Sequence, residues 1–139
     1  MIILDTNVLS AVMQTAPDPS VVSWLDRQPA ESVWTTAITA MEIRLGIELL
    51  SAGKRRAAIE DAFVRMLHGD LEGRVLPFDQ SAAEAAAHLA ATRRRSGRMV
   101  DIRDTQIAGI ALARRGTLAT RNVRHFQDLN IAVVDPWSV

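Results

Sequence analysis

Residues 2–4, Ile-Ile-Leu, form an unbroken apolar run that stops at once on Asp5-Thr6-Asn7. A strand that is wet on one side alternates apolar with polar residues. One that is apolar throughout must be covered on both faces, which is the condition of an inner strand in a parallel sheet. Short runs of the same kind recur at residues 32–35, 74–77, 117–120 and 131–134, with helical periodicity between them. Strands alternating with helices are βαβ units, so the chain is expected to be α/β, a mainly parallel sheet flanked by helices. Its 139 residues suit one domain with one buried interior.

Helix signals lie between the strands. A first helix is expected over Asn7–Met13, and a second from Pro19 to about Arg27 with Asp18 as its N-cap. A long one runs from about Ile38 to Ser51, capped by Thr36 and followed by Gly53, and another from Arg55 to about His68. Ser81-Ala82-Ala83-Glu84 reads as a capping box opening an alanine-rich helix that ends near Gly97. Asp101 or Asp104 starts the last helix, which carries Ile107, Ala108, Ala111 and Leu112 on one face and is stopped by Gly116. Val123–Phe126 reads as a short turn.

Composition narrows the setting. The chain has no cysteine, which removes disulfides, thiolate zinc sites and a cysteine nucleophile, and points to a reducing compartment, the cytoplasm. No apolar run nears the roughly 18 to 20 residues of a membrane span, and the opening run has no basic lead-in. Neither a membrane protein nor an exported one is expected. Sixteen basic and sixteen acidic residues cancel, but unevenly: residues 1–50 hold six acids against two arginines, a net of −4, so the remainder carries +4. Fifteen of the sixteen basic residues are arginine, and Arg93, Arg94, Arg95, Arg98 and Arg103 fall within eleven positions. Arginine is the residue type that grips phosphate with two prongs.

In a parallel sheet, ligands gather beyond the carboxyl ends of the strands, where strand order reverses. Asp5 and Thr120-Arg121-Asn122 both stand at such ends. Asp5 alone also reads as the N-cap of the helix after it. Glu42, four after Ile38 and three before Leu45, lies within the apolar stripe Ile38, Met41, Leu45, Leu49. There it is an acid paired with an arginine, an acid at the edge of the stripe reaching water, or a group with a ligand to hold, and Gly46, one turn on, leaves room beside it. Asp104 begins the Ile107/Ala108 stripe of its helix, as cap, as a first-turn acid that complements the helix dipole, or as site, and Asp101 is a cap that would free it. Three carboxylates brought together from separate segments repel one another unless a cation lies among them. Oxygen-only ligands select Mg2+ or Mn2+, which lowers the pKa of a bound water and neutralises phosphate charge. His68, His88 and His125 are scattered without zinc spacing and read as surface or turn residues. There is no glycine-rich phosphate loop.

Five blocks in order resemble the PIN-domain ribonucleases: Ile3-Leu4-Asp5-Thr6-Asn7-Val8-Leu9, Thr39-Ala40-Met41-Glu42-Ile43, Asp104-Thr105-Gln106-Ile107-Ala108, residues 118–126, and Val134-Asp135-Pro136-Trp137. The likeness is greatest to the VapC and FitB-like toxins of type II toxin–antitoxin systems. It implies a PIN-like three-layer fold with a five-stranded sheet, and an acidic cluster that binds Mg2+ or Mn2+ and hydrolyses RNA. It also implies a homodimer and a cognate antitoxin whose tail occupies the site. By position, Asp5, Glu42 and Asp104 match the metal-binding acids, Glu42 as a ligand or as acceptor of the attacking water's proton. Thr6 and Thr120 match hydroxyls near the metal, and Asn7 matches a residue that orients the first aspartate. Asn122 stands where many members carry Asp, which implies weaker binding of a second cation. Arg93, Arg94, Arg95 and Arg98 become candidates for holding the RNA backbone, against the plainer reading of a solvated helix end.

Other classes fit less well. A PIN-like module that binds RNA or protein without cutting is kept open by Asn122, but the full set of three acids argues against it. A receiver-type phospho-acceptor domain wants a lysine at a late strand end, whereas the one lysine, Lys54, falls in a helix. A haloacid-dehalogenase-type phosphatase wants Asp-x-Asp-x-Thr, which Asp5-Thr6-Asn7-Val8-Leu9 lacks.

Overall fold

The computed structural model describes residues 1–139. Five strands, β1 (Ile2–Leu4), β2 (Val33–Thr36), β3 (Val75–Leu76), β4 (Thr117–Ala119) and β5 (Val133–Val134), lie in the order β3-β2-β1-β4-β5. Every pair is parallel. Central β1 places Ile3 beside Trp34 on one side and Leu118 on the other. Six helices flank the sheet: α1 (Thr6–Val12), α2 (Pro19–Asp26), α3 (Ala37–Glu48), α4 (Lys54–Val64), α5 (Gln80–Arg95) and α6 (Ile102–Arg114).

Because successive side chains of a strand point to opposite faces, Ile3 and Leu4 feed two different cores. Leu4 packs with Val8, Leu9, Trp24, Ile43, Ile47 and Phe63. Ile3 packs with Leu89, Ile107, Ile110, Leu118 and Phe126. Both are fully buried, as an apolar run with no polar alternation requires. The chain builds outward from β1 to β2 and β3, then crosses to β4 and β5, so the strand order reverses at the β1–β4 boundary. A crevice opens there beyond the carboxyl ends.

Caps set where several helices begin. The Asp18 carboxylate accepts the Ser20 N–H, the Thr36 hydroxyl accepts the Thr39 N–H, and Asp101 accepts the Arg103 N–H. Asp101 is thus the cap of α6, and Asp104 falls in its first turn. Two expected boundaries differ. The cap of α5 is Asp79, whose extended backbone lets its carboxylate accept the Ala82 N–H at 3.0 Å, and Ser81 is already helical. The last residue past α6 to turn is Arg115, at φ 53°, rather than Gly116. Gly116 is instead needed for packing, since a Cβ there would come within 2.7 Å of Ile3 Cδ1. Beyond α4 the chain widens into a π-helical turn over Arg65–Asp70.

The largest departure concerns α3. Ile38 is buried as expected, but Met41, Leu45 and Leu49 are 48, 47 and 77% exposed, and the core side is Ile38, Thr39, Ile43 and Ile47. The helix is apolar on two sides, and periodicity alone does not say which of them meets the sheet. Glu42 therefore sits beside the core face rather than within it. No helix is long and apolar enough to cross a membrane.

Candidate active site

Asp5 follows the last residue of β1 and caps α1, as its position in the sequence suggests. Its side chain is buried at the floor of the crevice. One oxygen, Oδ1, accepts the Thr6 N–H at 2.8 Å. The other, Oδ2, accepts the Thr120 hydroxyl at 2.7 Å and Asn7 Nδ2 at 3.2 Å. Asn7 is itself fixed, its Oδ1 accepting the Arg121 N–H at 3.0 Å. Thr120 Oγ1 accepts the Asn122 N–H at 3.0 Å, so β4 and β1 are stitched together through this acid. Burial pushes the Asp5 carboxyl above the usual aspartate range, hydrogen bonds from Thr120 and Thr6 hold it back, and the charges of Asp104 and Glu42 raise it further.

Glu42 reaches the crevice from the flank of α3. Its Oε1 accepts the Thr6 hydroxyl at 2.9 Å, and the Thr39 hydroxyl lies 3.1 Å from that of Thr6. A Cβ on Gly46 would meet nothing within 4 Å, so the space beside Glu42 is open. Asp104, from the first turn of α6, completes the set. It does not cap α6, and its Oδ2 lies 2.8 Å from Nδ1 of His125.

Two further groups meet the acids. Arg103 stands 3.6 Å from Glu42 Oε2 and also bonds Asp101, an ion pair that raises its own pKa. His125, read from the sequence as a surface or turn residue, is exposed in a 3-10 turn and is also the partner of Asp104. Its signal was its place three residues after Asn122, in the 3-10 turn that leaves the end of β4.

The arginine cluster divides. Arg94 and Arg95 are exposed, whereas Arg93 is only 3% exposed and is committed to Asp128, Thr105 and the His125 carbonyl. It is not free to hold RNA. A guanidinium turned inward finds a carboxylate, which the sequence pattern could not show. Arg98 is half-buried, pairing with Asp128 and donating to the Arg124 carbonyl. Asn122 is exposed, with its backbone engaged by Thr120.

Three carboxylates, two hydroxyls and an amide therefore line one crevice, an oxygen donor set that fits a hard divalent cation better than zinc. No three acidic or histidine side chains stand close enough to share one metal ion. Each is held by its own partners, Asp5 by Thr120, Glu42 by Thr6 and Asp104 by His125.

Fold and crevice place the chain among proteins that set acids at the switch point of a parallel sheet, and comparison with known proteins is specific. The PIN domain family model matches residues 2–131. VapC ribonuclease Y4jK of Sinorhizobium fredii is 37% identical, covering 99% of this chain and 98% of its own length. Toxin FitB of Neisseria gonorrhoeae is 36% identical, covering 99% of both. The crystal structure of FitAcB from Neisseria gonorrhoeae superposes with a TM-score of 0.90 at 35% identity, covering 100% of both chains. That of DNA-bound VapBC from Salmonella typhimurium gives a TM-score of 0.78 at 28% identity, covering 97% of each. The chain belongs to the PIN domain family, with the VapC and FitB-like proteins.

Proposed function

We propose that the protein is a metal-dependent endoribonuclease and the toxin of a type II toxin–antitoxin pair, acting in the cytoplasm. The observation that carries this reading is that the buried Asp5, at the carboxyl end of β1, feels the charges of Asp104 from α6 and Glu42 from α3. The ribonuclease and endonuclease names of relatives support it.

Asp5 and Asp104 would hold Mg2+ or Mn2+, with Glu42 as a third ligand or as base; the cation supplies an activated water and relieves charge on the phosphate. Thr120 and Asn7 fix the Asp5 carboxylate, and Thr6 fixes Glu42 at the flank of the crevice. As base, Glu42 would take the proton of the attacking water. The water oxygen bonds to phosphorus as the bond to the ribose oxygen breaks, and that oxygen leaves with a proton from solvent. Arg94 and Arg95, both exposed, would hold the RNA backbone further out.

A partner protein is supported by the FitAB and VapBC complexes among the related structures. From Glu42 a groove of about 540 Å3 runs along α1, α3 and α4, past Ser10, Met13, Gly46 and Ile59. An antitoxin tail carrying both apolar and polar side chains suits a groove whose lining mixes Met13, Ile43 and Ile59 with Ser10, Glu42 and Arg55. The exposed Met41, Leu45 and Leu49 face of α3 suits a second copy of the chain.

The test is cleavage of a purified RNA. Cutting is expected with Mg2+ or Mn2+ and is abolished by excess chelator. Asp5→Asn and Asp104→Asn each remove most of it while circular dichroism stays unchanged. Unaltered cleavage in chelator would sink the metal mechanism, and a variant that keeps cutting but melts early would show a cap rather than a ligand.

A further inference from the structure

The inward turn of Arg93 has a use that the site's own acids do not account for. It lies in the last turn of α5, and its guanidinium spans three segments. Nε and Nη2 donate to the two oxygens of Asp128 at 2.8 and 2.9 Å. Nη1 donates to the Thr105 hydroxyl at 2.9 Å, and Nη2 also to the His125 carbonyl at 2.7 Å. Thr105 is the residue after Asp104, and His125 is the residue whose Nδ1 meets Asp104 Oδ2 at 2.8 Å. One planar group thus ties the backbone that carries Asp104 to the turn that hydrogen-bonds it.

We propose that Arg93 is a positioning residue for the Asp104 side of the acidic crevice. This rests on the reading of Asp104 as a cation ligand. The Asp5 side has independent fastenings in Thr120, Asn7 and the Thr6 N–H, and Glu42 is held by Thr6. None of these bonds involves Arg93. Removing the fork should therefore loosen one ligand and spare the others. Arginine is required because its donors lie in one plane at fixed angles; lysine can keep the charge opposite Asp128 but cannot reach three acceptors at once. Groups that orient a metal ligand characteristically change metal affinity by about 10 to 100-fold when lost.

A second guanidinium provides the control. Arg74 is also mostly buried, and donates to the carbonyls of Val33, Ala30 and Asp70, but at the amino ends of the strands, away from the crevice. It stitches structure without touching the acids.

The experiment is calorimetric titration of the whole chain with Mn2+ alone, paired with thermal melts. Arg93→Lys should stay folded and bind Mn2+ about 10-fold or more weakly, while Arg74→Lys lowers the melting temperature and leaves Mn2+ affinity unchanged. In the Asp104→Asn background Arg93→Lys should cost nothing further, whereas in the Asp5→Asn background it should still weaken binding. If Arg93→Lys does not fold, Thr105→Val, which deletes one acceptor of the fork, should still weaken binding several-fold. Wild-type affinity in folded Arg93→Lys or Thr105→Val, or an equal loss with and without Asp104, would overturn the assignment. Absence of Mn2+ binding by the wild-type chain would instead overturn the reading of the crevice and the assignment with it.

Discussion

At Asp5 a single carboxylate is buried, hydrogen-bonded by the start of α1 and by Thr120 just past β4, and faced by the like charges of Asp104 and Glu42. Its folded pKa lies above the unfolded value, so ionised Asp5 costs stability. That cost appears as pH rises from the unfolded pKa through the raised folded one and persists above it. Asp5→Asn should accordingly melt at or above the wild-type temperature near neutrality, with the gap closing in acid. Asp128 has the opposite sign: Arg93 holds its carboxyl below the usual range, so its contribution is present above the unfolded pKa and is lost as pH falls through the folded one. Asp128→Asn should lower the melting temperature near neutrality and not in strong acid. Calorimetry across pH on both variants checks the pair, and parallel curves would refute it. Asn122→Asp should tighten Mn2+ binding, because it adds a carboxylate beside Thr120; unchanged titration heats would show that the side chain does not serve the cation. Asp5 and Asp104 were legible because their positions, a strand end and a helix start, are set by local sequence. Arg93 and His125 were not, because their partners lie 35 and 21 residues away and only the fold brings them together.

The pairing of α5 with α6 depends on a small residue. A Cβ on Gly109 would stand 2.6 Å from the Ala82 carbonyl oxygen and 2.7 Å from Ala86 Cβ. Backbone cannot yield as a flexible side chain can, so Gly109→Ala should destabilise the protein by about 1 to 3 kcal/mol, read from urea unfolding. A stability gain, as expected of an unhindered helical glycine, would contradict this close approach. Strands and helices were read from period and caps, and most boundaries fall within a few residues. The largest error lies in α3. Two apolar stripes on α3 compete for the sheet, and the winner is decided by the neighbours that Ile43 and Ile47 meet, which include Leu4, Val8 and Phe63.

On the scale of the whole molecule, the first 50 residues bring net negative charge and the remainder net positive, yet both contribute to the crevice. Asp5 and Glu42 come from the acidic part, Asp104 and Arg103 from the basic part. The exposed stripe of α3 lies on the other side of the helix from the sheet-facing residues, so a partner on it leaves the sheet core untouched. If a second copy covers this stripe, Leu45→Glu should turn a dimer into a folded monomer in analytical ultracentrifugation; a dimer that survives would place the interface elsewhere. The proposed chemistry needs a cation held by these acids. Anomalous scattering from crystals grown with Mn2+ locates it directly. The predicted result is a peak within about 2.0 to 2.4 Å of carboxylate oxygens of Asp5 and Asp104, with Glu42 beside it. A map with no peak in the crevice, or a peak that touches none of these acids, would contradict it.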